Sequence, residues 1–328
     1  MQDQPIKKIL IIRFSSIGDI VLTTPLLRCI KKQYPGIEIH YLTKPVFHII
    51  LANNFYIDKI HLLNENPVSK ALELKSENFD LVIDIHHNLR TLLFKTILGV
   101  QSFSFPKLNF EKYLFVNFKI NKMPKVHIVD RYFEAAKILA VKNDEEGLDY
   151  FIPEKDQLPN FEHLDIKTTD YVTWAIGGQH FTKRLPNHKI IEFCKKSGLN
   201  IVLLGAAEDM GNAIEIKQGI GNNCINACEQ LNLNQSAWFI KNSKRLYTND
   251  TGLMHIAAAL KVPITSFWGN TVSSFGMSPY YGKHLIEHTI LENNQISCRP
   301  CSKIGFNKCP RKHFKCMEDL NLEFKSPA

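Results

Sequence analysis

Apolar residues along the chain fall into two similar series of short, nearly continuous runs. The first half carries Lys8–Phe14, Glu38–Leu42, Asp58–Leu62, Leu81–Asp84 and Ser102–Phe105. The second half carries Tyr171–Ile176, Ile201–Leu204, Cys224–Asn226, Arg245–Thr248 and Ile264–Phe267. Most are rich in Ile, Val, Leu and Phe and are bounded by Gly, Asn, Asp or Pro. Between them lie stretches with helical spacing, such as Pro25–Gln33, Ile128–Leu139 and Asn187–Lys196. Strands alternating with helices predict βαβ units and parallel sheets. Strands without polar alternation predict sheets covered on both faces. The pattern breaks between Gly147 and Thr169, where Pro153, Pro159 and many polar residues give a linker-like passage. The predicted domains are therefore 1–160 and 161–328, with a C-terminal tail able to pack back on the first. The fold class expected is α/β: two doubly wound, Rossmann-like domains facing across a cleft, where such sheets bind ligands.

Composition narrows this picture. The 328 residues are 45% hydrophobic and 22% charged, the balance of a globular chain with a sizeable core. No apolar run approaches the roughly 18–20 residues of a membrane span. The first, Ile9–Ile12, is stopped by Arg13 and is too short for a signal-peptide core. A cytoplasmic location is expected. The formal charge is +8, with Lys and Arg spread along the chain. An anionic partner follows from this: a phosphosugar, a nucleotide, a membrane surface or nucleic acid. The sequence lacks helix-turn-helix, zinc-finger and aromatic-platform motifs, so nucleic acid is not expected.

The first chemical motif follows the first strand at once: Ser15-Ser16-Ile17-Gly18-Asp19. A helical stretch comes next, with Thr24 and Pro25 as N-cap and first helical position. The carboxyl ends of parallel strands carry the chemistry of doubly wound sheets. Gly18 permits unusual backbone angles and close ligand approach. Asp19 beside it can accept a proton from a hydroxyl, or simply cap a helix. The glycines do not follow G-x-G-x-x-G, so no nicotinamide cofactor is expected.

Four second-half loops stand at predicted strand ends. Gly177-Gly178 precedes Lys183 and Arg184, which suits a diphosphate or is a solvated basic turn. Gly205-Ala206-Ala207-Glu208-Asp209 offers a carboxylate to ribose hydroxyls or to a helix end. Asp250-Thr251-Gly252 opens a helix that continues through His255; helix N-termini bind phosphate through free N–H groups. Trp268-Gly269-Asn270-Thr271 is a further small polar loop.

Of the eight cysteines, Cys29, Cys194, Cys224 and Cys228 lie in core-like segments. The other four, Cys298, Cys301, Cys309 and Cys316, span 19 residues. A Cys-x-x-Cys pair with two more thiols is compatible with a structural zinc, or with four reduced, partly buried cysteines. Disulfides are not expected without an export signal. Lys303, Lys308, Arg311, Lys312, His313 and Lys315 make a basic patch around them. It suits a phosphorylated lipid, membrane headgroups or plain solvent.

Taken in order, Ile11–Asp19 with Pro25, Asp84–Arg90, Lys183–Pro186, Asp250–His255 and Trp268–Thr271 resemble glycosyltransferase family 9. This is the ADP-heptose:lipopolysaccharide heptosyltransferase family. The resemblance implies the GT-B architecture and a catalytic base at Asp19, with Ser15, Ser16 and Gly18 shaping its pocket. It implies donor binding by Lys183, Arg184, Glu208, Asp250, Thr251, Gly252, His255 and Gly269, and acceptor binding by Asn88 and Arg90. The implied partners are an ADP-sugar and an anionic, lipid-linked acceptor, with peripheral contact at the inner face of the cytoplasmic membrane. Many members have Trp at the place of Leu185, and Gly or Gln at the places of His86 or His87; both changes fall on binding surfaces. The chain contains no Asp-x-Asp pair, so an inverting displacement that needs no catalytic cofactor is expected. The rival readings are another GT-B enzyme, such as a nucleotide-sugar epimerase, and a non-catalytic nucleotide-sugar binding module.

Overall fold

The computed structural model describes residues 6–64, 66–157 and 170–322. The chain folds into two compact units. One comprises residues 1–107 and 126–151, the other 108–125 and 152–328.

The first unit is built on a parallel sheet of β1 (Lys8–Ile12), β2 (Glu38–Thr43), β3 (Lys59–Leu62), β4 (Leu81–Asp84) and β5 (Gln101–Ser104), ordered β3-β2-β1-β4-β5. The central strand explains the apolar run: Ile9, Leu10, Ile11 and Ile12 are fully buried, as a strand covered on both faces requires. The helices are α1 (Ile17–Val21), α2 (Thr24–Gln33), α3 (His48–Leu51), α4 (Pro67–Lys75) and α5 (Leu89–Leu98). Next come α6 (Asn109–Phe118), which belongs to the second unit, and α7 (Ile128–Glu134), which returns to the first.

The second unit carries a parallel sheet of β6 (Val172–Ala175), β7 (Ile201–Leu204), β8 (Cys224–Asn226), β9 (Leu246–Asn249), β10 (Ile264–Trp268) and β11 (His288–Glu292), ordered β11-β10-β9-β6-β7-β8. Its helices are α8 (Asn187–Ser197), α9 (Met210–Ile220), α10 (Leu233–Lys241), α11 (Gly252–Ala259) and α12 (Lys315–Glu318). Trp174 anchors the core, stacked between Tyr247 at 4.8 Å and Phe267 at 5.5 Å, both nearly parallel to it. Among the described residues no helix is long and apolar enough to cross a membrane.

The predicted boundary at 160/161 lies outside the described residues, but its flanks are described. The linker-like passage begins later than Gly147, because Arg28 holds the 144–149 stretch on the first unit. The buried Arg28 guanidinium pairs with Asp144 and Asp149 and donates to the Gly147 carbonyl at 2.8 Å. Five residues after Phe151, the chain is bonded into the second unit. There Asp156 accepts from Asn232 Nδ2 at 3.1 Å and Asn234 Nδ2 at 3.0 Å. The linear division into 1–160 and 161–328 also keeps 108–125 in the first domain, whereas α6 packs on the second unit, Phe115 against Phe275. The C-terminal tail, as far as residue 322, packs in the core of the second unit through Phe314, Cys316, Met317 and Leu320.

Candidate active site

In the first unit, the loops after the neighbouring strands β1 and β4 are tied together by one side chain. Arg13 follows β1 directly and is buried to 8% exposure. Its Nε donates to the Ser15 carbonyl and its Nη1 to the Ile85 carbonyl, both at 2.6 Å. Its Nη2 lies 2.7 Å from Asp19 Oδ2. Ser16 also donates to Oδ2, through its hydroxyl at 2.8 Å and its backbone N–H at 3.2 Å. All three contacts fall on one oxygen; Oδ1 of Asp19 receives none among the described residues. Burial opposes ionisation of this carboxyl, but the Arg13 charge and the Ser16 hydrogen bonds outweigh it and hold its pKa below the ordinary range.

The helix-end position of Asp19 is occupied with Oδ1 left open. Asp19 is the third residue of α1 and receives the N–H of Ser16, the residue before that helix. Gly18 does not take unusual backbone angles. It is a buried residue of α1, because the helix starts at Ile17, earlier than the predicted start at Thr24. Thr24 and Pro25 open the separate helix α2.

The adjoining loop is built on Asp84, fully buried at the end of β4. Its Oδ1 accepts the N–H groups of His86 at 3.1 Å and His87 at 2.7 Å. Its Oδ2 receives Thr91 Oγ1 at 2.8 Å and Lys95 Nζ at 3.2 Å. His86 packs its ring on Phe14 at 4.9 Å, and burial followed by the Arg13 charge lowers its pKa to about 4, so it is neutral near pH 7. Asn88, expected at the acceptor, spends its side-chain oxygen on the Thr91 N–H at 2.9 Å and caps α5. Arg90 is exposed in the first turn of that helix, beside the fully displayed Leu89.

In the second unit, the loops after β6, β7, β9 and β10 interlock. Lys183 Nζ lies 2.6 Å from Asp250 Oδ2, and Thr271 Oγ1 donates to the same oxygen at 3.1 Å. Asn249, buried at the end of β9, donates to the carbonyls of Ile176 and Gly177 and accepts the Leu185 N–H at 3.0 Å. The loop after β10 presses on the Lys183 segment: a Cβ on Gly269 would stand 2.4 Å from the Thr182 carbonyl oxygen, so only glycine fits. Arg299, deeply buried, holds this loop from behind by donating to the carbonyls of Trp268, Gly269 and Thr271. Thr251 precedes α11 without a side-chain cap, which leaves the first N–H groups of that helix to a ligand.

Three expected donor residues are placed differently. Arg184 is engaged, through Nη1 to Asp209 Oδ1 at 3.1 Å and Nε to the Gly178 carbonyl at 2.8 Å, so it ties the β6 and β7 loops together. Glu208 is exposed, while its neighbour Asp209 is the buried, structure-bearing carboxylate. His255 is buried in the body of α11. Arg13, Asp84, Asp209 and Arg299 were missed as parts of the site. Arg13 and Asp84 stand at predicted strand ends, and that position was the available signal; Asp209 lies further along the loop after a predicted strand, and Arg299 follows no predicted strand and carried no such signal.

The four C-terminal cysteines are brought near one another by the fold. A tetrahedral zinc at about 2.3 Å from each sulfur needs sulfurs less than about 4 Å apart. No three of these sulfurs lie within 4.8 Å of one another. Cys316 and Cys309 pack into the apolar core, and burial pushes the Cys316 thiol up to about 12. Among the described residues one group has ligand atoms that close: His40, His61 and Glu77. Its atoms are already paired, His40 with His61 and Glu38, and Glu77 with Lys8 and Lys59. It reads as a satisfied polar cluster.

Comparison with known proteins places this geometry. Residues 69–306 match the family model described as glycosyltransferase family 9 (heptosyltransferase). The chain belongs to glycosyltransferase family 9. It is 27% identical to lipopolysaccharide heptosyltransferase 1 of Campylobacter coli, over 81% of this chain and 85% of that protein. It is 26% identical to lipooligosaccharide heptosyltransferase 2 of Haemophilus influenzae, over 90% and 92%. Among solved structures, the family 9 glycosyltransferase of Veillonella parvula superposes with a TM-score of 0.71 at 22% identity, covering 88% of this chain and 86% of that one. The E. coli ADP-heptose lipopolysaccharide heptosyltransferase II superposes at 0.69 with 18% identity, covering 95% and 98%. The fold is the two-sheet GT-B fold of these glycosyltransferases, and the chain is a glycosyl-transferring enzyme of the heptosyltransferase family. The family match spans the Asp84, Lys183, Asp250 and Gly269 loops; the Asp19 loop precedes it.

Proposed function

We propose that this enzyme moves a heptose from an ADP-sugar to a hydroxyl of an anionic, lipid-linked lipopolysaccharide core or lipid A acceptor, with inversion and without a catalytic metal. The observation that carries the reading is the anchoring of Asp19 through Oδ2 alone. A base must be ionised, fixed in direction and open at one oxygen. Arg13 and Ser16 keep the carboxylate charged and fixed, and Oδ1 is the atom left to take the acceptor proton. As the acceptor oxygen attacks the anomeric carbon, the bond to the nucleoside diphosphate breaks from the opposite side, which inverts the centre.

The leaving diphosphate gains negative charge in that step. Lys183 and the uncapped first turn of α11 at Thr251–Gly252 supply the compensating positive field. Asp250, held beside Lys183 and Thr271, is suited to sugar hydroxyls. A cation and a helix N-terminus thus do the work that an Asp-x-Asp-bound metal does elsewhere. The names of the relatives support heptose and lipopolysaccharide as the sugar and acceptor class. The enzyme would act from the cytoplasmic side, where nucleotide sugars are found.

A thermal-shift screen across ADP-, GDP- and UDP-sugars tests the donor. ADP-heptose should stabilise the protein, by about 2.7 kcal/mol at a hundredfold excess over its dissociation constant. Stabilisation by UDP-sugars in preference to ADP-heptose would sink the assignment.

A further inference from the structure

The positive charge of this chain is localised, although its Lys and Arg residues are not. What is uneven is the acids. Residues 108–125 hold four lysines against one glutamate, and residues 300–316 hold four lysines and one arginine against no acid. Their joint surplus of eight equals the whole net charge of +8, and the rest of the chain is neutral in sum.

The fold joins these two stretches. Both belong to the second compact unit, the first of them interposed in sequence between two segments of the first unit. Lys119, just after α6, donates from Nζ to the Cys298 carbonyl at 3.1 Å and the Pro300 carbonyl at 2.7 Å. Val116, Asn117 and Lys119 line one hollow together with Cys298, Phe306 and Arg311.

This surface is also apolar in an unusual way. No residue of α6 is buried, and Phe110, Tyr113 and Phe118 are 68%, 55% and 59% exposed. Ile304 and Phe306 are exposed on the adjoining segment, among the exposed cations Lys308, Arg311 and Lys312. A surface meant only for water carries the cations without the aromatics. Aromatic rings beside lysines and arginines, on a short helix lying on the surface, match the chemistry of a lipid interface: rings enter the headgroup boundary while cations meet lipid phosphates. A second copy of the chain does not fit, since the same positive face would meet itself.

We propose that residues 108–125 and 300–316 form a docking surface for an anionic lipid bilayer. The consequence for catalysis rests on the lipid-linked acceptor proposed above: docking holds the enzyme at the surface where that acceptor is embedded. The binding itself does not depend on the acceptor assignment.

Vesicle co-sedimentation tests it, with phosphatidylcholine alone and with phosphatidylcholine mixed with phosphatidylglycerol. The protein should bind the anionic vesicles, release as salt rises, and ignore the neutral ones. Lys308→Glu/Arg311→Glu/Lys312→Glu should weaken binding on the order of a hundredfold, from roughly fivefold per cation. Phe110→Ser/Tyr113→Ser/Phe118→Ser should weaken it about tenfold or more and leave the salt dependence in place. Both variants should keep wild-type melting temperatures and wild-type turnover on a water-soluble, delipidated acceptor. Equal binding to both vesicle types, no binding, wild-type binding by the variants, or binding of RNA in preference to anionic vesicles would each overturn the proposal. A wild-type enzyme that docks but does not turn over the soluble acceptor with ADP-heptose would count against the transfer reading alone.

Discussion

The two units present their charged loops in opposite conditions. In the first, Asp19 is bound on one side and open on the other: Arg13 and Ser16 occupy Oδ2 and leave Oδ1. In the second, cation and carboxylate satisfy each other, Lys183 against Asp250 at 2.6 Å. The first arrangement is that of a group whose position and charge must not change before reaction. The second is that of a group able to change partner: in the proposed reading a diphosphate draws Lys183 from Asp250, and the freed Asp250 then takes sugar hydroxyls. Preorganisation on one side and exchange on the other predict different failures when each is cut.

The largest effect belongs to the preorganised side. Asp19→Asn keeps the shape of the side chain and removes its basicity. Turnover should fall about 10²- to 10⁴-fold, the usual range for a positioned general base, while the donor dissociation constant stays nearly unchanged. Single-turnover kinetics beside donor titration separates the two quantities. Near-normal turnover would break the comparison at its first term.

Lys183→Ala should show the reverse split. Loss of one charge-assisted hydrogen bond of about 1.5–3 kcal/mol weakens donor binding roughly 10- to 100-fold. Asp250→Asn is the control, since it removes the resident partner and leaves Lys183 free. If the pair only staples the loops, the two variants should lower the melting temperature alike and leave the donor affinity alone; calorimetric titration with ADP distinguishes these outcomes.

Much of this was legible in the sequence. Ten of the strands follow from apolar runs, because a strand buried on both faces has no polar alternation to hide it. β11 was not among those runs; it lies at the sheet edge, only partly covered, with Ile290 and Leu291 set between polar residues. The excursion of 108–125 into the second unit escaped for another reason: α6 buries none of its residues and so leaves no amphipathic signature of where it packs. At the site, Asp19, Lys183 and Asp250 could be found from their positions at strand ends. Side-chain direction could not be found that way. Glu208 and Asp209 are adjacent and chemically alike, yet the short turn after β7 exposes the first and buries the second. Arg184, read as a second phosphate cation, is held by Asp209.

The smallest expected effect is the most discriminating, because it tests why Asp19 is poised rather than whether it matters. Arg13→Gln removes the guanidinium charge and leaves both Ser16 donors to orient the carboxylate. Since Arg13 lowers the Asp19 pKa, its loss must raise it. In the proposed mechanism the active form is the carboxylate, so activity should be lost as pH falls through that pKa. In the wild type this acid limb lies below the ordinary carboxylate range near pH 4; in the variant it should move upward. Near pH 7 Asp19 is ionised in both, so turnover there should change less than in either variant above, and the curves should diverge only in acid. The stability term has the same sign. A depressed carboxylate pKa contributes stability that is present above the unfolded-state value and lost as pH falls through the folded one, and Arg13→Gln should remove that contribution. A pH–rate profile of kcat/KM beside melting curves at several pH values measures both. An acid limb that stays in place while neutral turnover collapses would mean that Arg13 serves to bind the Ser15 and Ile85 carbonyls, and that the charge on Asp19 is set by something else.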